Sequence, residues 1–117
     1  MSHFVAEVVI DGAVGSFDKR YTYEIPQVLL ALAKPGCRVT VPFGKGNSKK
    51  QGMILSTFKG GISLKTKAII SVTDSEPILN DEMIKMCEWL KNNVFCTYFD
   101  AINTMLPTGL NYRLTDF

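Results

Sequence analysis

Histidine is almost missing from this chain: His3 stands alone among 117 residues. One imidazole cannot anchor a metal site by itself, and triad chemistry lacks a base in any recognisable setting. Cysteine is scarce and odd in number, with only Cys37, Cys87 and Cys96. Their spacing fits neither a zinc ribbon nor a redox pair. They read as reduced, mostly buried thiols of a cytoplasmic protein, with a Cys87–Cys96 disulfide as the alternative. No apolar run reaches the ~18 residues of a membrane-spanning helix, so no membrane partner is expected. The start, Met1-Ser-His-Phe-Val-Ala-Glu, has no basic segment followed by an apolar core, and no signal peptide is expected. Gly44-Lys45-Gly46 lacks the spacing and the following Lys-Ser/Thr of a Walker loop. The adjacent acids Asp81 and Glu82 are better explained as helix-start residues than as an acid/base pair. The chain is therefore expected to be non-catalytic.

What is present fits one domain, or one piece of a larger protein. Hydrophobic residues make up 46% of the chain and charged residues 21%, as in an ordinary globular domain. The net charge of +2 hides an uneven spread. Residues 1–70 carry ten Lys/Arg against four Asp/Glu, a net +6, and residues 71–117 carry three against seven, a net −4. A basic half beside an acidic half points towards nucleic acid, although small domains also show such imbalance by chance.

The first half reads as short strands punctuated by Gly and Pro. These are Phe4–Ile10, Lys19–Ile25, Arg38–Phe43, Gln51–Phe58 and Lys67–Val72, with a short helical turn over Gln27–Ala33. Strands at this spacing predict a small barrel or strongly curled sheet. After Pro77 the period changes. Asn80 is a good N-cap, and Met83, Cys87, Leu90 and Val94 form an apolar stripe on a helix that ends near Asn92-Asn93. Thr97 and Asp100 form a second capping pair, followed by a stripe of Tyr98, Ile102, Met105 and Leu106 that Pro107 and Gly109 stop. The expected class is α+β: a small curled, barrel-like (OB-like) sheet of about five strands followed by two short helices. The expected division is a β unit over 1–75, a helical unit over 76–110 and a tail over 111–117.

Binding chemistry concentrates in two places. The strand ending at Phe43 runs into a glycine-rich turn carrying Lys45, Lys49 and Lys50, which sets flexible positive charge at the end of a rigid strand. Such a loop is either a solvated hairpin or a set of phosphate contacts, and in the second role affinity falls steeply with salt. Tyr21 and Tyr23 alternate onto one face of their strand, with Thr22 on the other beside Arg20, Glu24 and Asp18. The tyrosine pair is either core or a platform on which a base stacks, worth ~1–3 kcal/mol.

The order of these segments resembles a known family. Ala6-Glu-Val-Val-Ile-Asp11, Tyr21-Thr-Tyr-Glu-Ile-Pro26 and Gly36-Cys-Arg-Val-Thr-Val-Pro-Phe-Gly-Lys45 come first. Gln51-Gly-Met-Ile, Lys67-Ala-Ile-Ile, Asp74-Ser-Glu-Pro-Ile-Leu79, Trp89-Leu90 and Met105-Leu-Pro-Thr-Gly109 follow. Over residues 4–110 the chain resembles the N-terminal domain of the primosomal protein N′ family, the bacterial replication-restart helicases. The resemblance implies a domain that recognises the 3′-OH end of a DNA strand, in the cell the nascent leading strand at a stalled, branched fork. It also implies an ATP-dependent 3′–5′ DNA helicase motor and a Cys-rich zinc module further along the family's chain. ATP, magnesium and zinc are thus expected only there, and the helicase remainder, other primosome proteins and single-strand-binding proteins are the implied protein partners.

By the same resemblance, the terminal nucleotide sits in a pocket whose aromatics are Tyr21 and Tyr23, whose glycine is Gly44 and whose lysine is Lys67. The family's Asp position is Thr22 here, a departure. A carboxylate accepts a charge-assisted bond from a 3′-OH and repels a 3′-phosphate, and a threonine hydroxyl does less of both. Glu24 and Asp18 are the candidates to supply the missing carboxylate, and Lys45, Lys49 and Lys50 would hold phosphates further back. No base-edge reader is evident, so recognition of an end without base specificity is expected. Two rivals stand beside this reading: a protein-interaction module that docks through its acidic helical half, and a general single-strand binder with no preference for ends.

Overall fold

A computed structural model describes residues 3–62, 66–94 and 96–106 of the chain. Alternating apolar residues build a five-stranded antiparallel sheet: β1 (His3–Ile10), β2 (Tyr21–Glu24), β3 (Arg38–Phe43), β4 (Ser48–Gly60) and β5 (Ser71–Val72), in the spatial order β2-β1-β4-β3-β5. Two helices follow, α1 (Asp81–Asn93) and α2 (Tyr98–Met105). The fold is α+β and OB-like.

The sheet rolls up because one segment touches both of its edges. Glu24 of β2 pairs in parallel with Ala68: the Glu24 N–H donates to the Lys67 carbonyl at 2.8 Å, and the Ile69 N–H donates to the Glu24 carbonyl at 3.0 Å. One residue later the Ile70 N–H donates to the Thr40 carbonyl of β3 at 2.8 Å. Residues 67–72 thus bridge the sheet's two sides. The regular strand expected over Lys67–Val72 is shortened to Ser71–Val72, because a segment shared between two edges cannot keep one ladder. β4 is longer than the expected Gln51–Phe58, since it pairs with β3 at one end and β1 at the other.

Two cores result. The barrel interior holds Ala6, Val8, Val39, Val41, Ile54 and Ile69 with Tyr23 and Ile25. A second core lies between the barrel and the helices, where Val9, Met53 and Leu55 meet Leu79, Cys87, Phe99 and Ile102. Strand β1 therefore feeds both. A register shift between Glu7 and Val8 opposite β4 interrupts simple alternation, which explains the mixed pattern of Phe4–Ile10.

Gly36 fixes how the helical half approaches. Its φ is +93°, and a Cβ there would lie 2.1 Å from the Leu79 carbonyl oxygen, so any side chain would push the lead-in to α1 away. The Asn80 side chain accepts from the Met83 N–H at 2.9 Å, and Thr97 with Asp100 makes a reciprocal capping box on α2. Ile84 and Cys87 are buried on α1, with Met83 and Leu90 partly covered. Val94 leaves the expected stripe: it is 48% exposed because the helix has ended and its backbone is extended. The turn expected over Gln27–Ala33 is a 3-10 turn at Gln27–Leu29. All three cysteines are free, and burial pushes the Cys87 thiol up to about 11. No helix among the described residues is long and apolar enough to cross a membrane. The Pro107–Gly109 stop and the tail over 111–117 lie outside the described residues.

Candidate nucleic-acid interface

Where residues 67–72 swing from β2 to β3, the barrel wall leaves a gap, and a cup of about 330 Å3 opens there. Tyr21, Thr22, Tyr23, Gly44 and Lys67 all line it, together with Phe17 and Phe43. The Ile25 N–H donates to Phe4 on β1, so antiparallel alternation turns the backbone groups of Thr22 and Glu24 away from β1. Those of Glu24 meet residues 67 and 69, and those of Thr22 face the open stretch of the seam.

The tyrosines have divided roles. Tyr23 is buried, and its hydroxyl donates to the Pro42 carbonyl at 2.8 Å, tying β2 to the end of β3. Burial pushes this phenol up to about 12, so it remains a donor across the working pH range. Tyr21 is half-buried: its hydroxyl donates to the Phe17 carbonyl at 3.0 Å, and its ring meets Phe43 edge-on at 5.1 Å. Lys19 lies 5.4 Å from the centre of the Tyr21 ring.

Gly44 ends β3 with φ +77°, a left-handed conformation that turns the chain into the lysine loop. A Cβ on Gly44 would meet nothing within 4 Å, so its backbone borders open space. The Lys67 ammonium crosses the seam and donates to the Gly44 carbonyl at 2.8 Å. Among the described residues the cup thus has aromatic walls, a bare backbone rim and a cation, Lys67, whose partner is a neutral carbonyl.

Neither candidate carboxylate lines the cup. Asp18 is turned towards the helices: both of its oxygens accept from the Tyr98 N–H at 3.2 Å, and Lys91 donates to it at 2.8 Å. Its side chain is 1% exposed. Glu24 lies 3.5 Å from the His3 imidazole. Among the described residues, the cup lining includes no acid. Arg20 also serves the helical joint, donating to Glu7 at 2.9 Å and pairing with Glu88. The Ser56 hydroxyl is the main influence holding the Glu7 carboxyl below its ordinary value; partial burial opposes it and Arg20 assists it.

Lys45, Lys49 and Lys50 are exposed on the β3–β4 hairpin. Lys49 sits opposite Pro42 and Lys50 opposite Val41, so neighbouring lysines point to different faces. Lys50 lines a second cavity and Lys45 only follows the turn. Arg38, counted with the basic half, is 4% exposed and forms a two-pronged pair with Asp74, so it adds no charge to the surface. Phe17 and Phe43 also line the cup, and the sequence pattern does not single them out for it. The available signals were an aromatic stranded in a glycine-flanked polar loop and the last inward position of the Val39, Val41, Phe43 alternation. Among the described residues, no His, Cys, Asp or Glu cluster large enough to hold a metal gathers.

A family model described as the PriA 3′ DNA-binding domain (3′BD) matches residues 7–107. The replication restart protein PriA of Bacillus subtilis is 32% identical over 111 residues, which is 92% of this chain. The chain spans 13% of that relative's length.

Proposed function

The chain belongs to the family of PriA 3′ DNA-binding domains, and from this premise we propose that its cup seats the last nucleotide of a DNA strand with a free 3′ end. The observation that carries the reading is the seam cup itself, which gathers Tyr21, Thr22, Tyr23, Gly44 and Lys67 around about 330 Å3. That volume lies at the small end of ordinary ligand clefts, roughly 300–1,000 Å3. Tyr21 and Phe43 offer aromatic surface to the base. Gly44 lets sugar or base approach the backbone, and Lys67 exchanges the Gly44 carbonyl for a phosphate oxygen. Lys45, Lys49 and Lys50 meet phosphates further from the end. No cup residue is arranged to read base edges in preference to a strand end, so binding is independent of sequence.

In this reading the domain serves a longer polypeptide. The remainder is an ATP-dependent 3′–5′ helicase with its own ATP, magnesium and zinc sites, and the strand end is the nascent leading strand at a stalled fork. Other primosome or single-strand-binding proteins are further partners. The division into a DNA-holding β unit (1–75) and a helical unit (76–110) follows from the same reading, as does action in the cytoplasm.

The test is a fluorescence titration with short oligonucleotides bearing a free or a covered 3′ end. Tighter binding to the free end is expected, and equal affinity refutes the proposal. With no carboxylate among the described lining residues, a 3′-phosphate is expected to be tolerated. Thr22→Asp restores repulsion and should lower affinity for the phosphorylated end alone. One observation favours a rival protein-interaction reading: Met86, Trp89 and Val94 are exposed on the helical half. Reversing the charge of Lys45, Lys49 and Lys50 decides between them, since an interaction module should keep its DNA affinity unchanged.

A further inference from the structure

Resting on the cup as the seat of the last nucleotide, we propose that a neighbouring cavity takes the penultimate base, so that the domain grips a dinucleotide end. This cavity holds about 280 Å3 and shares Phe17 and Phe43 with the cup. The two hollows are therefore separated by a ridge made of two aromatic side chains. A strand that leaves the cup over this ridge places its next base in the second hollow.

The ridge is fixed in place. Phe17 is 62% exposed and Val14, beside it on the same loop, is 64% exposed, so both present apolar surface to water. The loop that holds them is nevertheless pinned. The Phe17 carbonyl accepts from the Tyr21 hydroxyl, and the next residue is Asp18, held by Lys91 and the α2 backbone. An exposed ring with an anchored backbone is a prepared stacking surface that loses little freedom when a base covers it.

The rest of the lining suits a nucleotide. Ala13 and Val14 give apolar wall, Lys50 gives a cation for the phosphate on the 5′ side of the penultimate nucleotide, and Asp11 gives an acceptor. Partial burial raises the Asp11 carboxyl, with the Gly12 N–H and then Lys50 pulling it back, which marks the slot as partly shielded from water. Every DNA base carries at least one edge N–H donor. An aspartate there favours a base over a bare sugar without choosing among bases.

The experiment compares the 117-residue chain on oligonucleotides with a single abasic sugar at the penultimate or the third position, each with a free or a covered 3′ end. The penultimate abasic site is expected to weaken binding about tenfold, equivalent to ~1.4 kcal/mol, and the third-position site less than about twofold. In Phe17→Ala the penultimate penalty should shrink to about twofold, because the stacking partner is gone. Equal penalties at the two positions overturn the proposal, as does a penultimate penalty that persists unchanged in Phe17→Ala. Either result with the end preference intact leaves the cup reading standing. Loss of the end preference itself removes both.

Discussion

The seam cup and the joint between barrel and helices flank one loop and use similar side chains in opposite ways. At the joint each ion meets a counter-ion: Lys91 pairs with Asp18, and Arg20 spans Glu7 and Glu88. In the cup the polar groups lean on neutral backbone. Tyr21 donates to the Phe17 carbonyl, Tyr23 to Pro42 and Lys67 to Gly44. An ion pair is closed, because a newcomer must break one charge interaction to make another. An ammonium resting on a carbonyl keeps its formal charge uncompensated, and a phosphate improves on that partner. The contrast separates residues that hold the domain together from residues available to a ligand.

The sharpest way to break the comparison is to remove a counter-ion from the joint. Asp18→Ala strands the Lys91 charge and the Tyr98 N–H, and should cost about 3 kcal/mol of stability in urea denaturation, discounted for the part-exposed lysine. A loss below about 0.5 kcal/mol would place Asp18 among ordinary surface residues. The matching change in the cup is Lys67→Ala. Stability should stay within about 0.5 kcal/mol, while affinity for a free 3′ end falls roughly tenfold. The slope of log affinity against log salt should become shallower by about 0.7, the value for one single-strand phosphate contact. An unchanged slope would mean that Lys67 serves only the seam.

Gly44→Ala tests the rim. The new Cβ meets nothing within 4 Å, so the left-handed backbone is what is penalised, by about 1 kcal/mol of unfolding free energy in urea denaturation. The smallest effect concerns acid. The folded Glu7 carboxyl titrates below its ordinary 4.5, so its contribution is complete above that pH and is lost as pH falls through the folded value. Glu7 is a third exposed, and the loss should be only a few tenths of a kcal/mol. Glu7→Gln should narrow the stability difference between about pH 6 and about pH 3, measured by thermal melts.

Local rules made much of this fold legible. Inward Val39 and Val41, the Asn80 cap and the Thr97/Asp100 box each act within a few residues, and each appears in the structure as read. The cup's membership was legible only through family resemblance, because Tyr21 and Lys67 line one hollow across a seam that no local pattern describes. Asp18 shows where local reading stops. Beside the tyrosine strand it looked like a cup acid, yet its partner is the N–H of Tyr98, eighty positions away. Arg38 is similar: its neighbours give no sign that Asp74 will bury it. The expected Val94 stripe failed because the helix ended before it.

Tyr23 acts as a strut. An aromatic ring neither stretches nor bends, so the span from β2 to the Pro42 carbonyl is set by the length of a phenol whatever the lysine hairpin does. On the proposed function, an arriving strand end meets a wall whose two strands are already tied together.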